Sequence, residues 1–214
     1  VTRDINKSIH YFTLAANQNN LDSQNYLSLI YYEGKYVTRD INKSIHYLML
    51  STNQNDSCGQ YNLGFLYYEG KYVTRDISKS IHYFTLAANQ NNSNAQFLLG
   101  LIYYESKYIT RDINKSICYL TLAANQNNLE AQILLGFIYS NEGYTTRDIN
   151  KSYHYYKLAA DQNSIKAQMW LALFYYEGKY ITQDINKSIH YLKLAANQNN
   201  SNAQAVLGVI YSLR

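Results

Sequence analysis

The feature that most constrains this chain is a stretch of sequence that returns every 36 residues. Asp76-Ile-Ser-Lys-Ser-Ile-His-Tyr-Phe-Thr-Leu-Ala-Ala-Asn-Gln-Asn-Asn92 has close copies beginning at Asp4, Asp40, Asp112, Asp148 and Asp184. A fixed period of this size marks a stacked array in which each unit has an apolar face that only its neighbours cover. The 214 residues, 1–214, are therefore expected to form a single repeat array, a segment of a longer protein, rather than one or two ordinary globular domains. Proline is absent and 47% of residues are apolar, so the abundant asparagine does not signal disorder. Asn-Gln-Asn-Asn tracts such as Asn17 to Asn20 recur once per period and read as turns.

Each period holds two helical patterns. In the first, here called helix B, Asp4 is a natural N-cap and Ile5, Ile9, Phe12 and Ala16 fall on one helical stripe. The second, helix A, runs from about Asp22 to Glu33, with Gly34 where a left-handed cap is expected. Ser57-x-x-Gln60, Ser93-x-x-Gln96 and Ser201-x-x-Gln204 fit a capping box at its start. The position of Gly64 holds only Ser28, Gly100, Gly136, Ala172 and Gly208, which predicts close approach of a neighbouring backbone. In Tyr139-Ser-Asn-Glu-Gly143 the Glu and Gly are displaced by one residue, predicting a helix A that ends one residue later. Ser106 replaces a cap glycine and should weaken that cap.

Ala95-x-x-x-Leu99-Gly100-x-x-Tyr103, Gly70-Lys-Tyr-Val73, Asp76, Tyr83-Phe84 and Ala87-Ala88 together resemble the Sel1-like repeat, a relative of the tetratricopeptide repeat. The likeness spans essentially the whole chain, with departures at Tyr72, Ser80 and Asn91. It implies an all-α fold: a right-handed α/α superhelical solenoid of about six 36-residue helix-pair repeats, helix A lining the concave side. It also implies a non-catalytic scaffold or adaptor that binds a peptide or protein. The paired cysteines of the family's cysteine-rich branch are missing; Cys58 and Cys118 fall at different points of the period.

The sequence shows no nucleophile motif, paired-carboxylate cluster or phosphate loop, so no catalytic residues and no cofactor are assigned. His10, His46, His82, His154 and His190 share one position of helix B, with Cys118 in the sixth slot. Stacked helices lie about 8–10 Å apart. Zinc ligands must all lie within about 2.3 Å of one centre, so no metal site is assigned and an exposed outer face is expected. Leu86 and its equivalents read either as an exposed apolar strip or as buried packing, the latter preferred.

Positions that differ between copies are free to read a ligand. On helix A these place Tyr61, Phe65, Tyr68, Phe97, Tyr104, Phe137, Met169 and Tyr176 on one face as candidate partner-binding residues, aided by Gln60, Gln96 and Gln168. Core packing between units is the competing reading for the positions of Phe97 and Leu101. An alternative partner, nucleic acid, would meet a ridge of Lys35-Tyr36, Lys71-Tyr72, Lys107-Tyr108 and Lys179-Tyr180 with Arg39, Arg75, Arg111 and Gln183. The net charge of only +4 and the Asp after each Arg dilute that ridge. No apolar run is long enough for a membrane span. Asn-Lys-Ser acceptors at helix starts favour a cytoplasmic location over a secretory lumen.

Overall fold

The computed structural model describes residues 4–105, 107–178 and 181–212. These form twelve helices, with no strand among the described residues. Type B helices are α1 (Ile5–Asn17), α3 (Ile41–Asn53), α5 (Ile77–Asn89), α7 (Ile113–Asn125), α9 (Ile149–Asp161) and α11 (Ile185–Asn197). Type A helices are α2 (Leu21–Glu33), α4 (Ser57–Glu69), α6 (Ser93–Glu105), α8 (Leu129–Ser140), α10 (Ile165–Glu177) and α12 (Ser201–Ser212). They make two compact units, Val1–Leu99 and Gly100–Arg214, whose boundary falls within α6. In the first unit α2 packs on α3 and α4 on α5; in the second α8 packs on α9 and α10 on α11.

The asparagine tract both stops one helix and starts the next. After α1, Asn19 takes φ 64°, a left-handed conformation that asparagine tolerates better than most residues. Its amide donates to the Ala16 carbonyl and that of Asn20 to Ala15, a Schellman closure. The Asn20 side chain then accepts the Ser23 amide and so caps α2. Asp56, Asn92, Asn128, Ser164 and Asn200 cap the later A helices in the same way. The capping-box reading is thus corrected: Ser57, Ser93 and Ser201 are the first helical residues, and the cap lies one residue earlier. Helix B starts as expected, with Asp4, Asp40, Asp76, Asp112, Asp148 and Asp184 each accepting the amide three residues on.

Helix A closes on left-handed Gly34, Gly70 and Gly178, while Ser106 lies outside the described residues. The altered copy ends differently from expectation. Helix α8 stops one residue early, at Ser140, because Asn141 leaves the helix in an extended conformation and its side chain accepts the Gly143 amide. The small-residue position does mark close contact, nearest with a side chain, and at Gly100 also with backbone, the Leu120 nitrogen lying 3.2 Å from where a Cβ would stand. A Cβ on Gly64 would sit 2.8 Å from the Phe84 ring, one on Gly100 2.6 Å from Leu120, and one on Gly136 2.8 Å from the Tyr156 ring. In the second unit the buried Ser116, Ser152 and Ser188 hydroxyls tie the same places together, donating to the Gly100, Gly136 and Ala172 carbonyls.

Candidate partner-binding clefts

Between successive A helices the floor is a side chain from the intervening helix B. Phe84 and Tyr156 are fully buried and fill this space. Leu48 and Leu192 are shorter, and each floors an open apolar cleft. The cleft between α2 and α4 has a volume of about 260 Å³ and is walled by Leu29, Tyr32, Tyr61 and Phe65. The cleft between α10 and α12 holds about 430 Å³ and is walled by Leu173, Tyr176, Met169 and Val209. Every residue lining the first has its counterpart, four repeats on, lining the second.

Four of the eight sequence-derived residues therefore line clefts: Tyr61 and Phe65 in one unit, Met169 and Tyr176 in the other. Tyr61 and Phe65 stack at 6.2 Å, and burial pushes the Tyr61 hydroxyl pKa up. Tyr68 leans on Phe84 at 6.4 Å. Tyr104 and Phe137 are brought together by loop residue Tyr144, whose ring lies 5.1 Å from the first and 5.9 Å from the second. Phe97 is half-buried. Sequence reasoning missed the two leucine floors; the signal was present in helix B, where leucine alternates with aromatic residues at the position of Phe84.

The glutamines offered as polar help do something else. Gln60, Gln96 and Gln168 are buried. Gln60 Oε1 accepts from Gln90, and Gln168 Oε1 from Gln198. Gln96 donates to the Ala88 carbonyl. These are interhelical ties, not groove groups. The leucine strip is also corrected: Leu14 and Leu122 are exposed and Leu50, Leu86, Leu158 and Leu194 only partly covered. The five histidines face outward as expected, and no metal-binding cluster occurs among the described residues.

The basic ridge is engaged internally. Arg39 donates to the carbonyls of Tyr32 and Glu33, and Arg75 to those of Tyr68 and Glu69, closing the C-terminal ends of α2 and α4. Arg111 donates to Tyr104, and Gln183 substitutes for arginine by donating to Tyr176. The Arg39 guanidinium also lies 4.7 Å from the Tyr72 ring centre. Lys35, Lys71 and Lys107 each sit over the following tyrosine at 5.0–5.3 Å. Lys179 and Tyr180 lie outside the described residues. A ridge occupied with helix ends and its own rings does not support the nucleic-acid reading.

A model of the Sel1 repeat matches residues 1–20, 21–56, 59–92, 93–128, 129–164 and 165–200. The chain belongs to the Sel1 repeat family. Sel1 repeat proteins generally mediate protein–protein interactions and are generally not catalytic. Among solved structures, the chain is similar to c5321, a protective antigen of uropathogenic Escherichia coli displaying an SLR fold, with 31% identity and a TM-score of 0.92. That match covers 98% of this chain and 45% of the antigen, so the chain spans less than half of that protein. A Sel1 repeat protein from Oxalobacter formigenes is 29% identical over 91% of this chain and 79% of its own, with a TM-score of 0.78. The Pseudomonas aeruginosa immunity protein Pa5087, 18% identical over 92% of this chain and 75% of its own, shares the fold at a TM-score of 0.55. None of the curated proteins matches. No described helix of this Sel1 repeat chain is long and apolar enough to cross a membrane.

Proposed function

We propose that this chain is a non-catalytic scaffold that holds a protein partner by seating apolar side chains of a peptide segment between its A helices. In the first unit Tyr61 and Phe65 would grip such a side chain, with Tyr68 and Phe97 beside them. In the second, Met169 and Tyr176 would do the same, with Tyr104 and Phe137 available on the same unit. The observation that carries this reading is the recurrence of one apolar cleft, position for position, four repeats apart. Concave apolar sites with aromatic walls supply most of the binding energy where proteins capture peptides. The clefts carry no convergent acid, base or nucleophile, in keeping with binding rather than chemistry.

The test is a random peptide library displayed on phage and selected against the chain. It is counter-selected on a variant carrying Ser28→Gly with Leu48→Phe and Ala172→Gly with Leu192→Phe, which copies the filled Gly64–Phe84 arrangement into both clefts. Peptides rich in Leu, Ile or Phe that bind the chain and not the filled variant support the reading. Peptides that bind both equally, or a selection that enriches none, reject it.

A further inference from the structure

The cleft of the first unit differs from that of the second at its floor. In the second unit the helix A position there is Ala172, and the Ser188 hydroxyl on helix B donates to its carbonyl at 2.8 Å. Ser116 and Ser152 are engaged in the same way, on the carbonyls of Gly100 at 2.8 Å and Gly136 at 2.7 Å. In the first unit both positions are serine, Ser28 and Ser44, and both line the cleft.

Of the polar groups on this lining, one is left over. The Ser28 hydroxyl donates to the Asn25 carbonyl at 2.7 Å, which uses its hydrogen and leaves an oxygen lone pair. Tyr32 donates to Glu69 Oε2 at 2.6 Å. Asn62 is exposed and Tyr61 partly so, and water serves both. Ser44 is 1% exposed, yet its hydroxyl makes no hydrogen bond among the described residues. Buried polar groups are normally paired, so one that opens unpaired on a cleft marks the place of a ligand's polar atom. Ser80, one repeat on, is also without a partner, but the helix B residue one turn after it is the space-filling Phe84, where Ser44 has Leu48.

Given the peptide-binding reading, on which this rests, we propose that the cleft of the first unit takes a tyrosine side chain of the bound segment, its phenol hydroxyl held between Ser28 and Ser44. Ser44 donates to the phenol oxygen and the phenol O–H donates to the Ser28 oxygen, so every group of the floor is paired. The ring lies against Leu29 of α2 and against Tyr61 and Phe65 of α4, above Leu48. A leucine or phenylalanine would fill the same space and leave the Ser44 hydroxyl without a partner, and a site built to bond a hydroxyl rejects the analogue that lacks it. The cleft of the second unit, whose serine is already engaged, makes no such demand.

The experiment titrates the intact chain with N-acetyl-tyrosinamide and N-acetyl-phenylalaninamide, which differ only in the hydroxyl, and follows the amide chemical shifts of Ser28, Ser44 and Phe65. The tyrosine probe is expected to bind about tenfold more tightly than the phenylalanine probe. In a Ser44→Ala variant that preference should shrink to within about threefold, with binding of the phenylalanine probe unchanged. The Ser44 hydroxyl has no internal bond to lose, so the variant folds, and its uptake of the phenylalanine probe checks this. A second variant, Ser28→Gly with Leu48→Phe, fills the cleft and should take neither probe. Equal affinities for the two probes, or a preference that survives Ser44→Ala, overturn the tyrosine assignment and leave peptide binding standing. Shifts that persist in the filled variant, or a cleft that takes neither probe, overturn it as well, and the phage selection then decides peptide binding separately.

Discussion

Ser51 and Gly59 are a matched pair: a Cβ on Gly59 would stand 2.2 Å from the Ser51 Oγ. In later repeats the same two positions are Ala87 with Ala95, Ala123 with Ala131, Ala159 with Ala167 and Ala195 with Ala203. Ser51 takes up the room that alanine leaves, donating to Asp56, which in turn accepts from the Asn25 side chain and the Gly59 amide. Burial drives the Asp56 pKa up, but these hydrogen bonds outweigh it and hold the carboxyl below its ordinary value. We predict that Gly59→Ala alone destabilises the chain by about 1–3 kcal/mol through overpacking. In a Ser51→Ala background the same change should stabilise by up to about 1 kcal/mol, the helix-propensity difference. Urea unfolding of the four proteins measures the coupling; additive effects would show that the two residues do not compete for space.

Arg39 should matter to stability more than to charge. Its guanidinium closes the Tyr32 and Glu33 carbonyls and rests on Tyr72, three contacts that an ammonium group cannot reproduce together. Arg39→Ala is expected to cost about 1–2 kcal/mol, and Arg39→Lys nearly as much, from the loss of two hydrogen bonds at a helix end. Equal thermal midpoints for the lysine variant and the parent chain would show that only the positive charge counts.

The tyrosines set an alkaline limit. Burial, reinforced by its hydrogen bond to Glu69, pushes Tyr32 up to about 12 from 10.0. Burial also raises Tyr139 and Tyr191. The fold therefore favours the neutral phenol. Its contribution is complete below pH 10 and is lost as pH rises from about 10 to about 12. Melting temperature should hold steady up to about pH 9.5 and fall above about pH 10. Tyr32→Phe should lower it at neutral pH and make the alkaline fall shallower. A Tyr32→Phe chain with an unchanged alkaline slope would remove Tyr32 from this account.

The helix order was legible because the period and the six aspartate caps repeat without interruption. The start of helix A was misread because Ser57-x-x-Gln60 satisfies a capping pattern while Asp56, just before it, does the capping. Gln60 could not serve both roles, being buried and bonded to Gln90. The direction of Arg39 was hidden for a related reason: a sequence shows that a loop is basic but not whether its charge turns outward or back onto a helix end. Helix A variation led to four cleft residues, yet the hollows depend on a pair of positions, Leu48 with Ser28 and Leu192 with Ala172; leucine alone is not enough, since Leu120 beside Gly100 is fully buried.

That dependence can be inverted. Gly64 and Phe84 fill the space that Ser28 and Leu48 leave open, so Phe84→Leu with Gly64→Ser should create a further cleft behind Tyr61 and Tyr68. Gly64→Ser alone forces a Cβ to within 2.8 Å of the Phe84 ring and is expected to cost about 1–3 kcal/mol. Phe84→Leu alone leaves a cavity and should cost about 1–2 kcal/mol. If the two sites share one space, the double variant is more stable than the sum of the single losses predicts. It should also take up small aromatic molecules that the parent chain ignores at this site, with chemical shift changes at Tyr61 and Tyr68 as the readout. Additive losses with no ligand-induced shifts would show that residues 64 and 84 do not control the hollow.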